Sequence, residues 1–259
     1  MTHASLFSGI GGFDLAAEWA GWENIFHCEW NPFGQKVLAH HFPNSKSYND
    51  ITKTDFSIHA GEIDVLTGGF PCQPYSSAGK QLGTADERHL WPEMLRTIKE
   101  VKPTWVVGEN VLGIVNWGGG MVFNDVQVDL ENQGYEVQAF ILPACGKNAP
   151  HKRQRVFFVA YSNSKRYTRP TSTRIKENER RANNNEHREC SRKDKVNNWN
   201  NWPKQPYVLL RDDGLPTGLD YKTFPSIRRE SIKAAGNAIV PQVAFEIFKA
   251  INQFESLPS

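Results

Sequence analysis

Short apolar runs alternate with stretches of helical periodicity along the first two thirds of the chain. Residues 3 to 8 predict a strand that runs into Ser8-Gly9-Ile10-Gly11-Gly12, after which Phe13, Leu15, Ala16, Ala17, Trp19 and Ala20 predict a helix closed near Gly21. Asn24 to Cys28 predicts a second strand, followed by Glu29, Trp30 and the pair Asn31-Pro32, a helix N-cap with proline at the first helical position. A third unit closes at Ser47-Tyr48 and Asp50-Ile51. The apolar run Ile63-Asp64-Val65-Leu66 reads as a buried strand and leads into Gly68-Gly69-Phe70-Pro71-Cys72-Gln73-Pro74-Tyr75-Ser76. Trp91-Pro92-Glu93 opens a helix with Met94, Leu95, Ile98 and Val101 on its apolar face, and Lys102-Pro103 ends it. Trp105-Val106-Val107 is a further buried strand, ending in Gly108-Glu109-Asn110-Val111. Phe123, Val126 and Leu130 mark an amphipathic helix stopped at Gly134. Strands from Glu136 to Leu142 and from Arg155 to Tyr161 flank a link ending in His151-Lys152-Arg153-Gln154.

From Ser162 the periodicity fades and asparagine accumulates, which predicts an inserted loop or small lobe up to about Asn201, with irregular chain continuing beyond it. Order is expected to return at Gly236-Asn237, ahead of a helix with Val243, Ala244, Ile247, Phe248 and Ile251 at helical spacing. Strands alternating with helices predict an α/β fold. The boundaries expected are an α/β domain over 1–161, a small basic region over 162–232, and a segment over 233–259 that packs back on the first.

Composition changes this picture only locally. The 259 residues are 39% hydrophobic and 12% aromatic, enough for a packed core, and no apolar run approaches the ~18 residues of a membrane span. No secretory start is evident, and Cys28, Cys72, Cys145 and Cys190 form no Cys-x-x-Cys pair, so a reduced cytoplasmic setting is expected without a zinc site or disulfide framework. The net charge is only +2, but Ser162 to Lys204 carries twelve Lys and Arg against five acids. That local excess suits a polyanion, the alternative being a solvated insert.

The candidate chemistry lies where strands end, because open α/β sheets bind ligands beyond the carboxyl ends of their strands. Cys72 follows one such strand and Glu109 ends another, a thiol facing a carboxyl; the alternatives are an inert loop cysteine and a structural glutamate. The turn at Gly9 is not the dinucleotide fingerprint, since Asp14 stands where a third glycine would fall; a nucleoside without phosphates still fits it. Glu29, eighteen residues past Gly11, is placed to hold ribose hydroxyls, unless it is a solvated residue before a helix. Asp50 could face the same ligand, or cap a helix. Arg153 and Arg155 alternate at the start of a strand and could present two guanidinium forks to one ligand, unless they are solvated edge charges.

Phe7-Ser8-Gly9-Ile10-Gly11-Gly12, Pro71-Cys72-Gln73, Glu109-Asn110-Val111, the Arg153-x-Arg155 strand and Gly236-Asn237 stand in the order of the motifs of the DNA cytosine-5 methyltransferases, which the chain resembles over most of 4–160 and 234–252. The resemblance implies a Rossmann-like S-adenosylmethionine-dependent methyltransferase fold with a small, irregular target-recognition lobe. It implies Cys72 as the nucleophile that adds to C6 of a flipped cytosine, Glu109 as the group on N3 and the exocyclic amine, and Arg155 on O2, with Arg153 assisting. It assigns Phe7, Gly9, Gly12, Glu29, Trp30, Asp50, Ile51, Pro71, Leu90 and Asn237 to S-adenosylmethionine, released as S-adenosylhomocysteine, and no metal. Gln73, Ser76 and Arg153 are assigned to double-stranded DNA. A cytoplasmic monomer is expected, with no membrane partner and with a restriction endonuclease of the same site as a possible companion. Two departures stand out: His151 replaces a glutamine common in the family, and the recognition segment is short and polar, which suits a short or degenerate target; of the family's late motif Arg228-Arg229-Glu230 is at best a remnant. The alternatives are a tRNA cytosine-5 methyltransferase, a silent nucleic-acid-binding paralogue and a cysteine hydrolase.

Overall fold

A computed structural model describes residues 1–71, 90–147, 149, 151–162 and 225–257. Among the described residues seven strands form one sheet: β1 (Thr2–Leu6), β2 (Glu23–Cys28), β3 (Lys46–Tyr48), β4 (Val65–Gly69), β5 (Trp105–Val111), β6 (Tyr135–Pro143) and β7 (Gln154–Ser162). Their spatial order is β3-β2-β1-β4-β5-β7-β6. The first five run parallel and β7 runs antiparallel to both β5 and β6. The order reverses between β1 and β4, which places the ligand-binding crevice of such a sheet at their carboxyl ends.

Six α-helices are described: α1 (Gly12–Trp19), α2 (Pro32–His41), α3 (Trp91–Val101), α4 (Met121–Asn132), α5 (Pro225–Asn237) and α6 (Pro241–Glu255). Successive strand residues point to opposite faces, so the sheet carries two cores. Leu66, Val106 and Phe158 pack on one face with Met94 and Ile98 of α3 and Val126 and Leu130 of α4. Val65, Val107 and Phe157 pack on the other with Ala16 and Ala17 of α1 and Val243, Ile247 and Phe248 of α6. Helix α6 therefore packs into the second core, as its apolar spacing predicts.

Local chemistry sets the element ends. Asn31 caps α2 by accepting from Phe33 N at 2.8 Å and Gly34 N at 3.3 Å, with Pro32 in the first turn. Lys102, at φ 53°, ends α3 in the left-handed region one residue before Pro103. Two expectations shift. The strand anticipated from Ile63 begins at Val65 and extends through Gly68 and Gly69, because parallel pairing to Gly108 and Glu109 carries it past the apolar run. The described chain is already helical from Pro225, ahead of the expected Gly236: Arg228, Arg229 and Glu230 lie within α5, and Gly236-Asn237 is its last turn. Among the described residues, no helix is long and apolar enough to cross a membrane.

Candidate active site

The carboxyl end of β1 turns through two unusual backbone conformations. Phe7 sits at φ 52° and Gly9 at φ 59°, and a Cβ built on Gly9 meets no atom within 4 Å, so the turn opens onto free space. Beneath it Ser5 Oγ lies 2.7 Å from Ser8 Oγ and donates to both carboxylate oxygens of Asp14 at 2.9 and 3.0 Å. Burial pushes the Asp14 carboxyl up to about 7. Ser8 Oγ also accepts from Cys28 N at 3.2 Å, which stitches the turn to the end of β2. Asp14 thus fills the place of the absent third glycine with a polar brace.

Glu29, at the tip of β2, accepts from Gly9 N at 2.7 Å and from Asn31 N at 2.7 Å. Burial raises its pKa and these two N–H groups pull it back. Each oxygen keeps a lone pair for a further donor, which is what a ribose diol offers. Gly34 permits this arrangement: a Cβ there would come within 2.5 Å of Gly9 O and 2.9 Å of Glu29 Cγ. Ile51, three residues past β3, is buried, and Trp30, just past β2, is 75% exposed. Asp50 is occupied locally. Its Oδ1 accepts from Thr52 N at 3.0 Å and Thr52 Oγ1 at 2.7 Å, and its other oxygen meets Lys53 at 3.1 Å. Arg96 holds this segment in place, donating to Ile51 O at 2.5 Å and Thr54 O at 3.2 Å while paired with Glu93 and Glu100. Open space at Gly9 beside a half-buried carboxylate fits a nucleoside without phosphates, the chemistry of S-adenosylmethionine.

The other half of the edge is built on charge. Glu109 Oε1 lies 2.9 Å from Arg155 Nε, and Arg155 Nη1 donates to Gln154 O at 3.0 Å. Burial outweighs the nearby Arg155 and Arg153 and pushes Glu109 up to about 7. Gly69 pairs with Glu109 in register, and a Cβ on it would approach Glu109 Oε2 to 3.3 Å; this glycine makes room for the carboxyl. Gly68 instead accommodates Met94, whose Sδ and Cε would lie 3.0 Å from a Cβ there. Asn110 donates to Phe70 O at 3.3 Å and accepts from Val111 N at 2.8 Å, tying the end of β5 to the chain entering Pro71. Cys72, Gln73 and Ser76 lie outside the described residues.

Arg153 departs from the expected pairing. It precedes β7 at φ 29°, and its Nη1 and Nη2 donate to Gly236 O and Ala238 O, both at 2.7 Å. The two guanidinium groups therefore take separate partners. Gly12 also serves packing, since a Cβ there would come within 2.8 Å of Ile239 Cγ2. Pro71 is half-buried, Leu90 is half-buried at the N-cap of α3, and Asn237 is exposed. Cys28 is buried, and burial pushes its thiol up to about 12, which leaves it an inert core residue. The expectations missed Gly34 and the Ser5–Ser8–Asp14 brace. A lone glycine inside the helical stretch after Asn31-Pro32 was the available signal for the first.

The sheet order, the glycine turn beside the switch and the acid at the tip of β2 define a Rossmann-like methyltransferase fold. Residues 1–208 match the model of the C-5 cytosine-specific DNA methylase family, and the chain belongs to that family. It is 39% identical over 157 residues to the type II methyltransferase M.PspPI of Psychrobacter, a match covering 60% of this chain and 38% of that protein. It is 34% identical over 159 residues to M.HhaI of Haemophilus parahaemolyticus, covering 61% and 48%. The chain thus spans about half the length, or less, of these relatives. Among solved structures, a prophage-encoded DNA modification methyltransferase of E. coli aligns with a TM-score of 0.54 at 26% identity, over 64% of this chain and 48% of that one. The S. pombe Dnmt2 methyltransferase shares the fold with a TM-score of 0.52 at 23% identity, over 63% and 51%.

Proposed function

We propose that this chain transfers the methyl group of S-adenosylmethionine to carbon 5 of cytosine in duplex DNA. The observation that carries the reading is Glu109: a carboxyl with a pKa raised to about 7, paired with Arg155, at the sheet edge beside the strand that leads to Cys72. The type II methyltransferase names of the relatives support it, as does the family membership.

Carbon 5 of cytosine is a poor nucleophile, and a thiolate adding to C6 makes it a good one. Cys72 supplies that thiolate and later leaves by elimination as the C5 proton is lost. Addition needs N3 to receive a proton or a strong hydrogen bond. A carboxyl titrating near 7 is matched to donate there at neutral pH and to hold the exocyclic amine with its other oxygen. Arg155 keeps that carboxyl oriented and reaches toward O2. S-adenosylmethionine, when bound, supplies the methyl group. Gly9, Glu29 and Ile51 hold its nucleoside, with Phe7, Trp30, Asp50, Pro71, Leu90 and Asn237 around it. Because C6 is hidden in a stacked duplex, the target base is flipped out. The basic stretch within 162–232 supplies phosphate contacts and target recognition, and Gln73 and Ser76 meet the DNA. The protein acts as a monomer, and a restriction nuclease of the same site is its natural companion.

Tritiated S-adenosylmethionine incubated with duplex DNA or with tRNA tests this directly. Label is expected on DNA cytosine and is lost in Cys72→Ala; label on tRNA alone, or on neither, overturns the reading. A duplex carrying 5-fluorocytosine should trap a covalent adduct with the wild type and none with Cys72→Ala.

A further inference from the structure

We propose that Arg153 is a positioning residue that straps the C-terminal segment onto the turn between β1 and α1, and does not contact DNA phosphate. Its two terminal nitrogens donate to Gly236 O and Ala238 O at 2.7 Å each, at the C-terminal end of α5. The last carbonyls of a helix lack intrahelical partners and carry its negative pole, so a guanidinium fork there is both a cap and a charge match. The backbone at Arg153 is held at φ 29°, a region that non-glycine residues rarely enter, and such strain persists only where the surroundings demand it.

The residue after these carbonyls supplies the demand. Ile239 seats against Gly12 so closely that a Cβ on Gly12 would lie 2.8 Å from its Cγ2 and 3.0 Å from its carbonyl oxygen. Beyond it α6 is fastened to the opposite end of α1. Trp22 Nε1 donates to Asn252 Oδ1 at 2.8 Å, Asn252 Nδ2 donates to Ala20 O at 3.1 Å, and Phe248 stacks on Trp22 with ring centroids 4.5 Å apart. The strap runs from a residue two positions before Arg155 to the first residue of α1. Arg153 therefore links the half of the edge that carries Glu109 to the half that carries Gly9. By fixing Ile239 on Gly12 it sets the position of the turn, and through the turn the fit of the methyl donor.

This inference rests on the reading of the Gly9 turn as the methyl-donor site, and the experiment separates the two. Binding of S-adenosylhomocysteine to the full chain without DNA is measured by calorimetry for the wild type, Arg153→Lys and Arg153→Ala. Arg153→Ala should weaken it about tenfold, the scale of one charge-assisted hydrogen bond, with Arg153→Lys between the two. Gly12→Ala should weaken binding in the wild type and cost much less in the Arg153→Ala background, because the released Ile239 can move aside. The slope of DNA affinity against salt should be unchanged. Unaltered S-adenosylhomocysteine binding, with a salt slope reduced by about one phosphate contact, would overturn the strap. Amide hydrogen exchange in the ligand-free chain gives the independent readout. Residues 238–240 should exchange faster in Arg153→Lys, and unchanged protection sinks the strap whatever the ligand does. A wild type that binds no S-adenosylhomocysteine would sink the methyl-donor reading alone.

Discussion

On the β1–β2 side of the sheet edge a carboxylate is held by two backbone N–H groups; on the β5–β7 side another is held by a guanidinium. Glu29 takes its partners, Gly9 N and Asn31 N, from within twenty residues of itself. Glu109 takes Arg155 from another strand and Gly69 from a third. Burial raises both carboxyls, but the outcomes differ in use. Glu29 is oriented as a fixed acceptor by neutral dipoles. Glu109 is poised to gain and lose a proton near neutrality because burial outweighs the positive charge beside it. Under the proposed function, a binding half and a reacting half share one edge, and each uses the means suited to its task.

Glu109 is where this division can be broken most decisively. Glu109→Gln should lower the methylation rate by about 10²- to 10⁴-fold, the range of a lost general acid, and leave S-adenosylhomocysteine affinity within about twofold. The raised pKa also fixes the direction of the pH dependence. The carboxyl is protonated below about 7 and ionised above it, so steps that use its proton slow as pH rises through that value. The residual activity of the Gln variant should lack this descent. An equal fall in cofactor affinity would break the division between the halves.

Gly34→Ala should act on the other half. The new methyl group meets Gly9 O and Glu29, so α2 must shift; the expected result is a roughly tenfold higher KM for the methyl donor and a stability loss of about 1–3 kcal/mol, the usual cost of overpacking. Adduct formation on 5-fluorocytosine DNA at saturating methyl donor should survive, and its loss would show that the halves are not separable. The smallest effect is expected at Asn31→Ala. It removes the side-chain cap of α2 and should cost about 1 kcal/mol in denaturant unfolding, with KM changed by less than about twofold because Asn31 N still reaches Glu29.

The turn-side half was the more legible one. Strand, glycine turn, helix, strand and acid follow one another within residues 2 to 29 and are announced by local chemistry, apolar runs and glycines, with an Asn-Pro cap opening the next helix. On the other side Glu109 was recognisable as a carboxyl at a strand end, but the alternation of Arg153 and Arg155 suggested a shared ligand. The strand begins only at Gln154, and the left-handed backbone before it turns Arg153 toward Gly236 and Ala238 instead. Nothing local announces the use of Gly68 and Gly69; inside the parallel sheet one gives space to Met94 and the other to Glu109.

By itself the sequence determined the order of strands and helices through β7, the apolar face of α6, the cap of α2 and the carboxyl-edge placement of Glu29 and Glu109. These depend on side-chain period and turn chemistry, which act over a few residues. Only the tertiary structure decided which partner each polar group would take. Arg153 reaches a helix end over eighty residues away, Gly12 is reserved for Ile239, Gly34 for Gly9, and Asp14 for Ser5. A hydrogen-bond fork or a missing Cβ has no period of its own. Its use depends on what packing brings within about 3 Å, and that is settled only when the sheet, its helices and the returning C-terminal segment close on one another.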